Sequence, residues 1–522
     1  MHGIETVLFL VVLATVVATF AKRLSIPAPS LLVVAGVLVG LVPGVPDIQV
    51  TPEVVSFVVL PPLLFAAGEE LPWRDLRAVW RPVTTLSVGL VLATAAGVAA
   101  VAVALTPLPL GMAFVLGAVL ASTDPVAVTA LARRLALPPR IQALVQAESL
   151  FNDATSLLLF RVTVGLVVAG GQRQNLGHTV TEFVVLAGGG VLAGSVVAAG
   201  AYVIRRRTEE PVLETVVSLV TPYAAYVAAE SVHASGVTAV VVASILLGTQ
   251  AHRMTNAHLR LQLGAVNRTV IFLLESVVFG LIGLQLPALI RRLTGTDTIW
   301  PVQALAIAAT LVVVRLLWVF PLSALAQRRR GVRRPSWQVP AVVSWAGARG
   351  VVPLAAALSI PLTTAGGAAL EHRDLVLLLS IAVIVLTLVV QGLTLAPLVR
   401  LAGIALRPED VRQEHTFARM RLAQAGLTHL DGVAETEAAP DFVIEQLRQS
   451  WEARAARAAA GDADEPDNSA VLAYRGLRHE LLAVEGAELT RLFESGAITD
   501  GTRRRIQHVL DLEQAGLGED EL

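Results

Sequence analysis

The 522-residue chain has no cysteine. Disulfides, thiolate metal sites and cysteine nucleophiles are therefore excluded. It also has little charge. Lys, Arg, Asp and Glu make up 16% of it, against roughly 25% in an ordinary soluble domain. Lysine is nearly missing: Lys22 is the single one among 40 basic residues. The scarcity of charge is local. Residues 1–400 carry 45 charged side chains, about 11%, whereas residues 401–522 carry 36, about 30%. Four hundred residues this apolar do not make a water-soluble core. They read as a polytopic membrane domain, with residues 401–522 as a soluble tail. Fibrous, disordered and disulfide-rich classes fall away. So does a transmembrane β-barrel, whose strands alternate polar and apolar residues, because the apolar runs here are continuous. No phosphate loop, metal-ligand cluster or nucleotide fingerprint is present, so no cofactor and no nucleic-acid partner is expected.

A bilayer-crossing helix needs about 20 apolar residues. Thirteen candidate spans are legible, at 4–21, 28–43, 53–70, 83–105, 109–132, 141–169, 179–204, 211–232, 236–251, 269–290, 300–326, 338–361 and 374–399. The first lacks the basic leader and Ala-x-Ala site of a signal peptide. The polar stretch His252–Asn267 reads as an interfacial segment. The fold class expected is all-α, a polytopic membrane protein with a helical tail.

The net charge of −1 hides an asymmetry: residues 1–400 hold 27 basic and 18 acidic groups, and the tail holds 13 and 23. Twenty basic residues follow odd-numbered spans. Only Arg173, Arg291, Arg292 and Arg373 follow even ones. By the positive-inside rule the N-terminus lies outside a cell membrane and the tail is cytoplasmic.

Two spans are internally broken. The fifth contains Ser122-Thr123-Asp124-Pro125, and the twelfth contains Gly347-Ala348-Arg349-Gly350-Val351-Val352-Pro353. Proline removes a backbone donor and disfavours helix before it. A simple kink would need no charge, yet each break carries one. Broken helices at corresponding places point to a transporter's midplane site. The odd offset of seven spans makes spans 4–6 and 11–13 inverted repeats.

Charges at the bilayer centre cost at least about 2.5–3.5 kcal/mol on insertion scales, so each asks for a function or a partner. Span 6 is the richest, with Glu148-Ser149-Leu150-Phe151-Asn152-Asp153. Ser149 and Asp153 are i,i+4, as are Glu148 and Asn152, so the four share one broad face. Asp153 falls near the midplane. Asp124, on broken span 5, is the second deep carboxylate. Two carboxylates with hydroxyls and freed carbonyls suit a hard cation. Away from water the same groups can take a proton instead. A site that holds either, but not both, is a one-site exchanger. Glu148 needs a permanent partner, and Arg315 in span 11 is the best candidate. Arg349 needs a partner too. Arg161 is read as reaching the outer interface, Glu230 and His233 as solvated, and Glu275 as open between interface and function.

Glu148–Asp153 followed by Ala154 resembles the E-S-L-x-N-D-A signature of monovalent cation:proton antiporters of the NhaP sodium/proton exchanger type. Thr123-Asp124-Pro125 is similar to that family's T-D-P break, Gly347–Gly350 to its G-x-R-G motif, and Leu60–Phe65 to its third-span motif. The likeness covers residues 1–400. It implies a homodimer with a six-helix core that moves as a unit. It implies that Asp153 carries the ion or proton, with Asp124, Ser149 and Thr123 helping to coordinate sodium. Asn152 next to Asp153 accompanies electroneutral one-for-one exchange. Glu148 and Arg315 form a supporting pair. Many relatives carry a glutamate where this chain has Ala66.

The tail reads as four amphipathic helices at 408–430, 441–460, 470–495 and 500–515, with Gly461–Ser469 as an acidic linker and Asp500 as an N-cap. A secondary antiporter exchanging Na+, Li+ or K+ for H+ is the function expected, and no enzyme. A potassium-selective antiporter is the nearest alternative. A cation channel would need an open pore rather than one occludable site. An intramembrane aspartyl protease would need Tyr-Asp and Gly-x-Gly-Asp motifs, which do not occur.

Overall fold

A backbone in hydrocarbon must satisfy its own hydrogen bonds, so the long apolar runs fold as helices. The computed structural model describes residues 9–17, 19–20, 28–42, 55–71, 73–124, 137–168, 176–208, 210–254, 257–293, 299–329, 336–364, 366–436, 440–460, 468–495 and 497–518. Its helices are α1 Ala28–Gly40, α2 Leu60–Glu69, α3 Trp73–Thr84, α4 Val91–Leu105, α5 Leu110–Leu120, α6 Pro139–Val168, α7 Leu176–Arg207, α8 Pro211–Ser231 and α9 Gly236–Met254. They continue with α10 Ala257–Leu293, α11 Trp300–Arg329, α12 Gln338–Trp345, α13 Val351–Leu358 and α14 Arg373–Ala402. Among the described residues strand pairing is confined to an isolated bridge between Thr363 and Ala369.

Among the described residues seven helical stretches are long and apolar enough to cross a membrane: Trp73–Leu105, Pro139–Val168, Phe183–Arg207, Pro211–Ser231, Leu259–Arg291, Trp300–Arg329 and Arg373–Ala402. Shorter apolar helices at Pro29–Gly40, Phe57–Glu69, Leu110–Leu120 and Gly236–Gln250 coincide with other predicted spans. Two boundaries differ from the sequence reading. The fourth span starts ten residues early, because amphipathic α3 runs through a π-helical turn at Thr85–Leu90 straight into α4. Most of the polar stretch 252–267 is the beginning of the 37-residue α10. Its polar residues sit on a continuous helix and do not interrupt it.

Both breaks are present. α5 ends at Leu120, and Ala121–Asp124 leaves helical geometry; Pro125 lies outside the described residues. α12 and α13 are separated by Ala346–Gly350. α3 to α6 pack with one another and with α11 to α14, through α4–α11, α5–α13, α5–α14 and α6–α13 contacts. α2 and α7 to α9 pack together through α2–α9, α7–α9 and α8–α9 contacts, and the pair α1–α10 touches both sets, α14 on one side and α2 and α8 on the other. In lipid such contacts rest on close packing, which small residues permit. A Cβ on Gly36 would lie 2.6 Å from the Gly280 carbonyl oxygen and 3.0 Å from Gly283 Cα, so α1 and α10 touch backbone to backbone.

The chain divides into two compact units, Met1–Leu406 and Arg407–Leu522. The second is four helices: α15 Pro408–Glu435, α16 Asp441–Ala460, α17 Asn468–Glu494 and α18 Asp500–Gly518. Residues 461–467 of the expected linker lie outside the described residues. The N-cap of α18 is Thr499, whose Oγ1 accepts from the Thr502 amide at 3.3 Å. Asp500 is instead the first residue of the helix, and its carboxylate accepts from Arg503 and Arg504. These donors hold the Asp500 carboxyl below the ordinary carboxylate range.

Candidate functional site

The two breaks cross. The Asp124 amide donates to the Ala348 carbonyl at 2.7 Å. Arg349 Nε donates to the Leu120 carbonyl at 3.0 Å, and its Nη1 donates to the Gly347 carbonyl. The Val351 amide, at the start of α13, donates to Asp124 Oδ2 at 3.4 Å. The arrangement is reciprocal. A helix C-terminus carries partial negative charge and an N-terminus partial positive charge. Arg349 from the second break meets the C-terminal end of α5, and Asp124 from the first meets the N-terminal end of α13. The partner Arg349 needed is thus carbonyl oxygen; among the described residues no carboxylate pairs with it. Gly350 makes the crossing possible, because a Cβ there would overlap the Asp124 carboxylate.

α6 holds the first break from one face. Ser149 Oγ donates to the Thr123 carbonyl at 2.5 Å. Asn152 Nδ2 donates to Thr123 Oγ1 at 2.6 Å, and Asn152 Oδ1 accepts from the Thr123 amide at 3.3 Å. One turn on, Ser156 Oγ donates to the Ala118 carbonyl at 2.7 Å. The i,i+3 and i,i+4 spacing that put these residues on one face is what lets one helix clamp the break. Asp153 projects from the same region. It is buried, and its Oδ1 has no hydrogen-bond partner among the described residues. Asp124 lies within electrostatic reach of it.

A cavity of about 330 Å³ adjoins these groups. α6 lines it with Gln146, Ser149, Leu150 and Asp153, α2 with Leu63, Leu64, Ala66, Ala67 and Glu70, and α10 with Arg268, Ile271, Phe272 and Glu275. Thr123, Asp124 and Val351–Pro353 complete it. Of the expected ion-binding residues, Asp153, Asp124, Thr123 and Ser149 meet at this wall. Asn152 does not line it and is spent on Thr123.

Glu148 faces away from the cavity and pairs with Arg315, Nη1 to Oε1 at 2.6 Å, with both side chains at most 3% exposed. Arg315 Nε and Nη2 also donate to the Val343 carbonyl in α12, at 3.2 and 3.1 Å. The pair therefore fastens α6 to α11 and α12. Two sequence readings need correction. Arg161 is paired with Glu230, and both are about one-third exposed, so the one does not simply reach for water and the other is not merely solvated. Their separation of 69 positions left no local signal. Glu275, which the sequence leaves open between interface and function, stands in the cavity wall.

Crossed helix breaks carrying opposite charges, beside a cavity with buried carboxylates in a multi-pass helical bundle, define a secondary transporter. Residues 10–401 match the family described as sodium/hydrogen exchanger, transmembrane. The chain belongs to that family, and is a transporter and not an enzyme. An uncharacterized Na(+)/H(+) exchanger of Mycobacterium tuberculosis is 36% identical over 535 aligned residues, covering 99% of this chain and 96% of that one. The Na(+)/H(+) antiporter ApNhaP of Aphanothece halophytica is 30% identical, over 93% and 90%. The solved sodium proton antiporter MjNhaP1 of Methanocaldococcus jannaschii shares the fold, with a TM-score of 0.63 at 20% identity, over 77% of this chain and 99% of that one.

Proposed function

We propose that the protein exchanges a monovalent cation, Na+ first, with Li+ or K+ as alternatives, for H+ at a single site, by alternating access. One observation carries this reading. Asp153 is a buried carboxylate with an unbonded oxygen, at the wall of a cavity that Asp124, Glu70, Glu275, Thr123 and Ser149 line with acceptors and hydroxyls, against Arg268 and Gln146 as its side-chain N–H donors. An acceptor-rich wall suits a hard cation; a lone carboxylate away from water suits a proton. The two compete for the same oxygens. Asp124 faces the cation as a second acceptor, and Thr123 and Ser149 add oxygen. Asn152, Arg349, Glu148 and Arg315 hold the frame.

Exchange is electroneutral, one cation for one proton. The Glu148–Arg315 pair cancels within itself, Asn152 is uncharged, and Arg349 is tied to helix ends, so occupancy changes at Asp153. Thirteen crossings put the N-terminus outside and the tail in the cytoplasm, as the basic residues require. With this orientation Arg140 and Arg260 lie at the cytoplasmic starts of α6 and α10, and Gln146, Arg268 and Glu70 would form a cytoplasmic mouth of the cavity. The group α1, α2 and α7 to α10 would supply a homodimer interface, and the other six-span group would move against it. The protein then resides in the cell membrane and serves pH and sodium balance.

The test is dye-monitored proton flux in proteoliposomes with Na+, Li+ and K+ in turn. Cation-dependent flux that persists at zero potential, and is not driven by an imposed potassium–valinomycin potential alone, fits the reading. Potential-driven flux without a sodium or pH gradient removes the one-for-one stoichiometry, and a current far above turnover rates would mark a channel.

A further inference from the structure

The cavity contains more carboxylate than one-site exchange needs. Glu70, Asp124, Asp153 and Glu275 all line it, against Arg268 as its basic residue. Arg268 is partly engaged, its Nε donating to the Gly264 carbonyl at 2.9 Å. Each of three helices gives the cavity one stripe: Gln146 to Asp153 on α6, Leu63 to Glu70 on α2, Arg268 to Glu275 on α10. Every stripe spans seven steps, two turns, or roughly 10 Å at 1.5 Å per residue. α6 and α10 enter from the same side in the topology above. Asp153 and Glu275 each stand two turns in from the residue that opens their stripe, Gln146 or Arg268, and each has Asp124 as a charged neighbour. Glu275 lies within electrostatic reach of both Asp124 and Glu70. Its nearer neighbours on the stripe, Ile271 and Phe272, are apolar, and the basic residue of that face, Arg268, stands two turns away.

Resting on the one-site reading of Asp153, we propose that Glu275 is a second cation-binding carboxylate of the inward cavity, receiving the partly dehydrated cation and passing it to Asp153 and Asp124. Carboxylates in a low-dielectric cleft focus the field and raise the local concentration of the arriving cation. A carboxylate opposite Asp153 also replaces hydration oxygens that the apolar wall cannot supply. On the α2 stripe the acid is Glu70, at the mouth, while Ala66, one turn further in, offers only a methyl group, so deeper in the cavity α10 and not α2 brings the acid. A carboxylate at position 66 would reach the same space, which makes the role transferable.

The experiment measures sodium-dependent proton flux in proteoliposomes, with Na+ on the side reached by the cytoplasmic mouth, for the wild type, Glu275→Gln, Glu275→Gln with Ala66→Glu, and Asp153→Asn. Size-exclusion profiles check folding. Glu275→Gln should raise the KM for Na+ about tenfold, equivalent to about 1.4 kcal/mol, while the maximal rate falls less than about threefold. Adding Ala66→Glu should return most of the lost affinity. A purely structural glutamate would lower the amount of folded protein and leave the KM unmoved. An unchanged KM in folded Glu275→Gln overturns the proposal while loss of flux in Asp153→Asn keeps the site reading. Retained flux in folded Asp153→Asn overturns both. If Glu275→Gln does not fold, Glu275→Asp replaces it: an unchanged KM there, with the carboxylate withdrawn by one methylene, also counts against the proposal.

Discussion

Arg315→Ala should be among the most destabilising single substitutions in the membrane unit. The structure sets the size. Arg315 and Glu148 are 3% and 1% exposed, and 2.6 Å apart. The Glu148 oxygens have no aligned hydrogen-bond partner among the described residues, so the ion pair is what compensates the carboxylate. Removing the guanidinium leaves a buried charge, which costs about 3–5 kcal/mol. It also frees the Val343 carbonyl, which accepts from Arg315 twice. Arg315→Lys keeps the charge but not the fork that reaches Val343, and should cost less, about 1–3 kcal/mol. Glu148→Leu with Arg315→Met removes both charges, and such replacements are often close to neutral. The assay is thermal unfolding of the purified protein in detergent, with each single variant and the double. The double should lie well above the sum of the singles, with a coupling of about 2 kcal/mol or more. Additive losses would refute the pairing as the source of the effect.

Three further outcomes follow from the same geometry. Gly350→Ala should abolish or severely weaken sodium-dependent flux in folded protein, since its Cβ displaces the Asp124 carboxylate; wild-type KM and rate would contradict the crossing of the breaks. Arg161→Ala should cost at most about 1 kcal/mol, because its pair with Glu230 is one-third exposed and screened, and flux should persist. In the tail, Asp500 has its carboxyl depressed by hydrogen bonds from Arg503 and Arg504. A depressed acid adds stability above its unfolded value, near 4, and loses it as pH falls through the lower folded value. Amide protection over Gly501–Arg504 in the full-length protein should fall across that acid window, and Asp500→Asn should flatten the dependence.

The helices, the two breaks and the Glu148–Arg315 pair were legible in the sequence for one physical reason. Hydrocarbon tolerates neither unpaired backbone nor unpaired charge, so each exception stands out against an apolar run. What was not legible was contact between distant helices. Asn152 carries the right polarity for a ligand, and only the proximity of Thr123 turns it into a clamp. The partner that Arg349 needs was not legible because the end of α5, which offers it a carbonyl, is 229 positions away. Arg161 and Glu230 each look like ordinary rim charges until α6 and α8 are brought together. Glu275 stayed open between interface and function because its place in the cavity wall depends on α2 and α6, which the local sequence of α10 does not show. The tail helices were legible from periodicity, but the cap of α18 is Thr499, whose Oγ1 accepts from the Thr502 amide, and not Asp500, which pairs with Arg503 and Arg504.

The central claim is that sodium and a proton compete for Asp153. It is tested most directly by adding NaCl to the purified, weakly buffered protein in detergent and measuring proton release, with choline chloride as the control. The account predicts about one proton released per sodium bound in the wild type, and none in folded Asp153→Asn. Sodium binding without proton release, or undiminished release from Asp153→Asn, would contradict it.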